Sequence, residues 1–236
     1  MVDRKILAVI PARGGSKRLP NKNILNMAGR PLIRWTIDCA LDTQLFEDVV
    51  VSSDSQEVLA IAEEANVIAL KRPERLASDS ATSVDVVLHA LESFRDVGKI
   101  FHYVCLLQPT SPLKESGDIA GAFALLDNKS IASVVSVTEV DHSPMWSMPL
   151  DKGMSLDQFF DQKVGALSRS QDLEKYYRLN GAIYFSNVRA LEQTKRLSSA
   201  PCLAYLMPRN RSFDIDEKID FDICEFLLKK SLTANG

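Results

Sequence analysis

Short apolar runs alternate with amphipathic segments along most of the chain. Runs rich in β-branched residues predict buried strands at 5–10, 48–52, 67–70, 103–107, 132–138, 182–185 and 202–207. Apolar residues at helical spacing predict helices at 31–41, 55–65, 83–94, 117–126 and 217–229. This repetition predicts an α/β fold with a mostly parallel sheet sandwiched by helices on both faces.

The rhythm breaks between 139 and 177, where Pro144, Pro149 and Gly153 punctuate the chain. The segment has apolar side chains with neither helical nor strand periodicity: Met145, Trp146, Met148, Phe159 and Phe160. A disordered loop is one interpretation. A protruding dimerisation arm is the favoured one, because these side chains would otherwise expose apolar surface. We therefore predict a catalytic α/β domain at 1–138 and 178–236, with the arm at 139–177.

Composition narrows the classes of partner. The 236 residues carry a net charge of −3, which makes nucleic acid or an anionic membrane an unfavourable main partner. No apolar run is long enough for a membrane span, and the charged N-terminus does not resemble a signal peptide. The four cysteines lack metal-site spacing, so we expect reduced core thiols in a cytoplasmic protein: Cys39, Cys105, Cys202 and Cys224.

The most distinctive stretch is the basic loop, residues 9–23, with the sequence V-I-P-A-R-G-G-S-K-R-L-P-N-K-N. It follows a predicted buried strand and combines paired glycines with four cations, Arg13, Lys17, Arg18 and Lys22. Glycines allow close approach of the backbone to a ligand, and clustered cations favour an anion. Neither the Walker pattern nor the dinucleotide fingerprint is present. The loop therefore indicates a polyphosphate site, in preference to a solvated basic turn.

Other polar clusters also follow predicted strands, where open α/β sheets bind their ligands. Gln108 follows the strand at 103–107 and could offer a donor and an acceptor to a base edge, or be an ordinary turn residue. Arg72 and the hydroxyls around Thr82 and Ser83 suit ribose or phosphate contact. The alternative is a capping loop in which Ser83 is the N-cap of the next helix.

Two carboxylates, Asp214 and Asp216, stand two residues apart near the C-terminal end. In an extended segment they point the same way and would repel each other without a cation, so they are candidate ligands for Mg²⁺. The alternative for Asp216 is a helix N-cap. By contrast, Asn180-Gly181 signals only a turn before a strand.

Taken in order, several motifs resemble the acylneuraminate cytidylyltransferases. They are the basic loop, V-S-S-D, R-P-E-R-L-A-S-D-S-A-T-S, L-L-Q-P-T-S-P-L, R-L-N-G-A-I-Y and S-F-D-I-D. The resemblance implies a GT-A-like, Rossmann-like nucleotidyltransferase, usually a homodimer. Such an enzyme transfers CMP from CTP to the anomeric hydroxyl of a sialic acid or related nonulosonic acid, releases pyrophosphate and uses Mg²⁺.

The resemblance also implies roles for individual residues. The catalytic set would be Arg13, Lys17, Asp214 and Asp216, with the two aspartates as metal ligands. The nucleotide would be bound by Arg13, Gly14, Ser16, Lys17, Lys22, Asn23, Arg72, Thr82, Ser83 and Gln108. The sugar would face Gln108, Arg169, Gln171 and Asn180. No convincing side-chain base is evident.

One departure from the family concerns the sugar. The arm reads H-S-P-M-W-S-M, with Trp146 near the place where sialic acid synthetases commonly carry a lysine. Neuraminate, legionaminate and related acids therefore stay open. The cousin that activates 3-deoxy-manno-octulosonate usually has a different loop and ranks lower. The alternative of another class, a non-catalytic nucleotide-binding module, would not need the paired aspartates.

Overall fold

The computed structural model describes residues 4–78, 81–127, 130–150, 152–157 and 174–234. The described strands comprise a seven-stranded sheet and a small hairpin. They are β1 (Ile6–Pro11), β2 (Asn26–Met27), β3 (Arg30–Pro31), β4 (Asp48–Ser53), β5 (Ile68–Lys71), β6 (Tyr103–Leu107), β7 (Ser133–Glu139), β8 (Tyr177–Asn187) and β9 (Cys202–Leu206).

The sheet has the strand order β5-β4-β1-β6-β8-β7-β9. Strand β8 runs antiparallel to both of its neighbours, and the other pairs in the sheet are parallel. The predicted mostly parallel sheet is therefore confirmed. Because β1, β4 and β6 are adjacent and parallel, the segments that follow them meet at one edge of the sheet.

The described residues form six α-helices. They are α1 (Leu32–Asp42), α2 (Gln56–Glu64), α3 (Ser83–Asp96), α4 (Ser116–Ala124), α5 (Val188–Thr194) and α6 (Lys218–Ala234). The expected cap of α3 was one residue off: Thr82 and Asp85 form a reciprocal capping box, so Ser83 is the first helical residue. Helix α5 was not predicted, since two turns are too short for a clear period.

Strand β1 shows why helices lie on both faces. Ile6, Ala8 and Ile10 belong to the core shared with α1, α2 and α4, whereas Leu7 and Val9 belong to the core shared with α3 and α5. All five side chains are buried, as expected for a central strand whose successive side chains alternate between faces. A third cluster packs α6 against α1 and the hairpin, and includes Ile215 and Leu113.

The sequence predicted that the Asn180-Gly181 pair forms a turn before a strand, but in the structure the pair lies inside β8. The register with β7 shifts between Val135 and Val137, so several β8 residues bulge opposite a single β7 residue. Gly181 has φ +78°, a conformation that a side chain disfavours. The turn-forming dipeptide therefore forms part of a multi-residue bulge within a strand that is longer than predicted.

The structure corrects the expectation for one cysteine and describes only part of the predicted arm. Cys39, Cys105 and Cys224 are buried free thiols, but Cys202 is exposed on the edge strand β9 and is not a core residue. In the predicted arm, Pro144–Trp146 form a short 3₁₀ turn in which Met145 and Trp146 are half-buried. Phe159 and Phe160 lie outside the described residues.

No described helix is long and apolar enough to cross a membrane.

Two isoleucines provide a test of the core. Ile37 on α1 is fully buried, whereas Ile100 is 67% exposed. Ile37→Ala should lower the free energy of unfolding by about 2–5 kcal/mol, because it removes buried methyl groups and leaves a cavity. Ile100→Ala should change it by less than about 0.5 kcal/mol. Urea unfolding of both variants at one protein concentration measures the difference, and equal losses would contradict this packing.

Candidate active site

A cleft of about 400 Å³ opens at the carboxyl ends of β1, β5 and β6. Parallel strands deliver their following loops to this edge, as expected of an open α/β sheet. Most of the predicted nucleotide-binding residues line this one cleft. They are Arg13, Ser16, Lys17, Lys22, Asn23, Arg72, Thr82, Ser83 and Gln108.

The basic loop is fixed to the sheet by its backbone. The Gly14 N–H donates to Asp54 Oδ1 at 2.9 Å, and the Asn23 side chain donates to the Arg13 carbonyl at 3.0 Å. A Cβ at Gly14 would lie 3.0 Å from the Ser55 Cβ, so the close approach to the start of α2 favours glycine. Gly14 thus holds the loop in place and does not itself line the cleft.

Arg72 supports the wall of the cleft from within. Its buried guanidinium donates to the Ser52 carbonyl at 2.7 Å, the Ser52 hydroxyl at 3.3 Å and the Leu76 carbonyl at 3.3 Å. Burial lowers the pKa of Arg72, and the nearby carboxylate of Asp54 opposes that shift. The arrangement joins the end of β4 to the turn that follows β5 and adds a fixed positive charge beside the cleft.

The loop after β6 brings Gln108 to the cleft. The Thr110 hydroxyl lies 3.4 Å from Gln108 Oε1, a long hydrogen bond. Gly181 of β8 lies behind the amide, since a Cβ there would approach Gln108 Oε1 to 3.8 Å. An amide with exposed polar atoms can recognise a base edge or a sugar hydroxyl.

The acid loop, residues 212–217, reaches the same place from the C-terminal side. The Ile215 N–H donates to the Thr110 carbonyl at 2.8 Å, and Lys22 Nζ donates to the Ile215 carbonyl at 2.7 Å. Arg18 pairs with Asp216 at 2.8 Å, and Asp216 lines the cleft. Three contacts therefore join the acid loop to the basic loop and to the Gln108 loop, residues 108–111.

The charges in this region shift one another's protonation. Desolvation raises the pKa of Asp214, and the negative charge of Asp216 raises it further, while the Thr110 hydroxyl and Lys22 oppose the shift. Burial lowers the pKa of Lys22, although both aspartates favour its charged form. The raised pKa of Asp214 shows a carboxylate that would gain from an added cation.

The capping alternative for Asp216 is wrong. The carboxylate of Asp220 accepts from the backbone N–H groups of Asp216 and Glu217, at 3.0 and 2.8 Å, so Asp220 caps the start of α6. The carboxylate of Asp216 is left to face Arg18. Repulsion between the two aspartates is therefore relieved within the chain by Arg18 and Lys22, which the sequence argument did not consider.

The two carboxylates fit a hard divalent cation as a donor set. Magnesium takes carboxylate oxygens and completes its shell with water and phosphate oxygens. Within the described ranges no group of three or more His, Cys, Asp or Glu side chains could hold a metal. The chemistry of the pair therefore suits an ion that arrives with a polyphosphate, more than one held by the protein alone.

Asn180 is placed differently from its expected role. Its carbonyl oxygen accepts from the Ser136 hydroxyl at 2.6 Å and the Ala182 N–H at 3.2 Å, while its amide donates to Ser212 Oγ at 2.9 Å and Met207 Sδ at 3.2 Å. These contacts use the full capacity of a buried amide. Asn180 thus joins the β8 bulge to the acid loop, and its amide is engaged within the protein instead of facing a sugar. Arg169 and Gln171 lie outside the described residues.

Sequence reasoning missed an ion pair between a buried carboxylate and a partly exposed arginine that supports the acid loop. Arg211 donates to both carboxylate oxygens of Asp118 on α4, at 2.9 and 2.8 Å, and the Asp118 side chain is fully buried. Arg211 ends the short turn that precedes Ser212. Nothing local marks the pair, because the two residues are 93 positions apart.

Comparisons with known proteins agree with this geometry. The cytidylyltransferase family model matches residues 7–222. N-acylneuraminate cytidylyltransferase of Escherichia coli O18:K1:H7 is 39% identical over 96% of this chain and 52% of its own length. Pseudaminic acid cytidylyltransferase of Campylobacter jejuni is 33% identical over 95% of this chain and 97% of its own. CMP-N,N'-diacetyllegionaminic acid synthase of Legionella pneumophila is 36% identical over 98% and 99%.

A solved structure supports the fold. CMP:2-keto-3-deoxy-manno-octonic acid synthetase, complexed with CTP, superposes with a TM-score of 0.73 at 15% identity, over 96% of this chain and 99% of that one. Fold and cleft thus define a nucleotidyltransferase-like α/β protein. The chain belongs to the cytidylyltransferase family. It spans about half the length of the N-acylneuraminate cytidylyltransferases that it matches.

The Asp118–Arg211 pair can be tested against a neighbouring acid. Asp118→Asn should lower the free energy of unfolding by about 3 kcal/mol, because the Arg211 guanidinium loses a buried anionic partner. Glu115 also approaches Arg211, at 3.5 Å, but its side chain is 62% exposed. Glu115→Gln should cost less than about 0.5 kcal/mol. Chemical denaturation measures both, and a neutral Asp118→Asn would show that the pair does not hold the acid loop.

Proposed function

We propose that this protein is a cytidylyltransferase that transfers CMP from CTP to the anomeric hydroxyl of a nonulosonic acid, with release of pyrophosphate. The observation that carries the proposal is the meeting of the basic loop and the acid loop in one cleft through Lys22, Arg18 and Asp216. The names of the relatives give the substrate class, since they act on N-acylneuraminic, pseudaminic and diacetyllegionaminic acids.

The cleft suggests how CTP is arranged. Its triphosphate lies along the basic loop, where Arg13, Ser16 and Lys17 line the wall. Its base meets Gln108 at the far side. Between them Ser83 is better placed than Thr82 to reach the ribose, because the Thr82 hydroxyl already donates to Asp85 Oδ2 at 2.7 Å.

The chemistry follows from charge. The anomeric hydroxyl attacks the α-phosphorus of CTP and gives up its proton to water, the bond from the α-phosphorus to the bridging oxygen breaks, and pyrophosphate leaves in line with the new bond. Arg13 and Lys17 stabilise the negative charge that builds on the phosphate oxygens. Asp214 and Asp216 would hold Mg²⁺, which neutralises phosphate charge when it is bound with the nucleotide.

Two alternatives are less well supported. An enzyme for 3-deoxy-manno-octulosonate shares the fold, but at 15% identity that likeness concerns the fold alone. A non-catalytic nucleotide-binding module would need the basic loop and not two carboxylates facing it.

A location in the cytoplasm remains a prediction from the sequence.

Pyrophosphate release is the direct test. The purified protein is incubated with CTP, Mg²⁺ and, separately, N-acetylneuraminate, pseudaminate, diacetyllegionaminate or 3-deoxy-manno-octulosonate, with ATP and UTP as nucleotide controls. We expect release with CTP and one of the first three sugars. Release only with 3-deoxy-manno-octulosonate would favour the cousin enzyme, and CTP binding without release on any sugar would favour the binding module.

The aspartate pair gives a prediction about turnover. Asp214→Asn and Asp216→Asn should each lower kcat by about 10²-fold or more, because stabilisation of transition-state charge is lost. Asp96→Asn at the end of α3 is the control, since Asp96 is exposed and lies outside the cleft lining. Steady-state assays at saturating Mg²⁺ measure the effect. Wild-type turnover in both site variants would exclude a metal-ligand role for the pair.

We further propose that the protein acts as a homodimer. A groove of about 940 Å³ beside the acid loop is floored by Phe213, Ile223, Phe226 and Leu227. Phe226 is 66% exposed, and Ile223 on the same helix is 37% exposed. Such grouped apolar surface suits a two-fold partner, and an arm from a second copy is the occupant that the sequence predicts.

Charge substitutions test the dimer. Phe226→Arg should shift the protein to a monomer that loses sugar-dependent turnover and retains CTP binding, because an unpaired charge opposes burial of this face. Val97→Arg, at a residue 72% exposed at the end of α3, is the control. Sedimentation at the assay concentration measures the state. A wild-type protein that is fully active as a monomer would rule out the dimer.

A further inference from the structure

We propose that Lys114 is a positioning residue that holds the Gln108 loop, residues 108–111, in the conformation that reads the nucleotide. Lys114 lies outside the cleft lining and carries no role in the chemistry above. The role of Lys114 in holding the loop is inferred from the hydrogen-bond geometry alone. The consequence for CTP rests on the proposed function.

The Lys114 ammonium is buried and fully hydrogen-bonded. The residue is 4% exposed, and its Nζ donates to Thr36 Oγ1 at 2.8 Å, to the Gln108 carbonyl at 2.9 Å and to the Ser111 carbonyl at 2.9 Å. A lysine ammonium has three N–H donors, so this set uses all of them. Two of the three acceptors are the first and last residues of the Gln108 loop, and the third lies on α1.

The loop has few other means of fixing its shape. Pro109 and Pro112 have no N–H to donate. The Ser111 N–H makes a long 3.3 Å bond to the Gln108 carbonyl, and the buried Ser111 hydroxyl has no hydrogen-bond partner among the described residues. Lys114 therefore supplies the closest hydrogen bonds that hold both ends of the loop.

The same support reaches the acid loop. The Thr110 carbonyl lies between the two residues that Lys114 holds, and it accepts from the Ile215 N–H at 2.8 Å. Displacement of the loop would therefore move both Gln108 and the segment that carries Asp214 and Asp216. A single buried ammonium thus sets the relation between the base-reading and the acidic parts of the cleft.

The charge of Lys114 is compensated by these oxygens and by no carboxylate within 4.0 Å among the described residues. The titratable groups that face it are Cys39 on α1, Cys105 on β6, Asp118 on α4 and Asp214 in the acid loop, and burial lowers its pKa to about 8 against their opposing influence. Burial raises the pKa of Cys39 to about 11 and that of Cys105 as well, so both thiols are neutral.

The direction of the pH effect separates positioning from stability. Above a pH of about 8 the folded state releases this proton before the unfolded state does, so the contribution of Lys114 to the free energy of unfolding rises with pH up to its ordinary pKa of 10.5. The neutral amine has only two donors, so over the same range the loop loses a bond. We therefore expect the loop to loosen above pH 8 while the contribution of Lys114 to the free energy of unfolding increases.

Hydrogen exchange of the free protein tests the positioning directly. In Lys114→Met, the amides of Ser111 and Ile215 should exchange about tenfold faster than in the wild type, as expected for loss of one or two net hydrogen bonds. Thr36→Val, which removes only the α1 acceptor, should give a smaller increase. Lys99→Met, at a lysine that pairs with Asp48 beyond the other end of the sheet, is the control and should leave both amides unchanged.

A pH series on the wild type needs no variant and serves if Lys114→Met does not fold. After correction for intrinsic exchange, protection of Ser111 and Ile215 should fall between pH 7 and 9, while amides of β1 keep theirs. Unchanged protection in Thr36→Val together with a flat wild-type profile would overturn the proposal.

Binding of CTP then tests the consequence. Calorimetric titration should show about tenfold weaker binding to Lys114→Met than to Lys99→Met. If the wild type does not bind CTP, the proposed function fails while the exchange result still decides the role of Lys114. If exchange increases and CTP affinity does not change, the loop is held by Lys114 but does not read the nucleotide.

Discussion

Electrostatic repulsion among the cations of the basic loop is the constraint on which the site depends. Arg18 and Lys22 face Asp216 and the Ile215 carbonyl. The Arg18–Asp216 pair is at least half exposed on both sides, so it contributes at most about 1 kcal/mol. A polyphosphate can therefore replace the carboxylate at little cost. The acid loop does not depend on that pair, because the backbone bond from Ile215 to Thr110 and the Asp118–Arg211 pair hold it.

The sheet explains why the opposite charges meet. Strands β1 and β6 are parallel neighbours, so the basic loop and the Gln108 loop leave the same edge side by side. The acid loop follows β9, at the far edge of the sheet, and has to cross back to reach them. The turn at Arg209–Arg211 and the contact with α4 direct that return. The antiparallel strand β8 lies between, and its bulge supplies Asn180 as a further link to Ser212.

Local sequence patterns predicted most of the strands and helices, and they predicted the side of the site that the basic loop forms. The strand at 103–107 was predicted to the residue, because a fully buried run ends at a polar residue followed by proline. The basic loop was found because glycines and cations follow a buried strand. Asn180 could not be placed, since an Asn-Gly pair has the same local preference in a turn and in a bulge. Asp118, Arg211 and Lys114 were missed because their partners are defined only by the folded chain.

The buried ionic groups share one location, and that location has a physical reason. Arg72, Lys114 and Asp118 are all buried, and each bonds to a loop at the carboxyl edge of the sheet. Burying a charge weakens the fold unless its hydrogen bonds are complete, and an apolar side chain of similar size would often be more stable. Hydrogen bonds to several acceptors at fixed directions do, however, define the position of a loop, which apolar packing does less sharply. The charges therefore stand where the cleft needs a single geometry, and the helix–sheet interfaces behind it are left to apolar side chains.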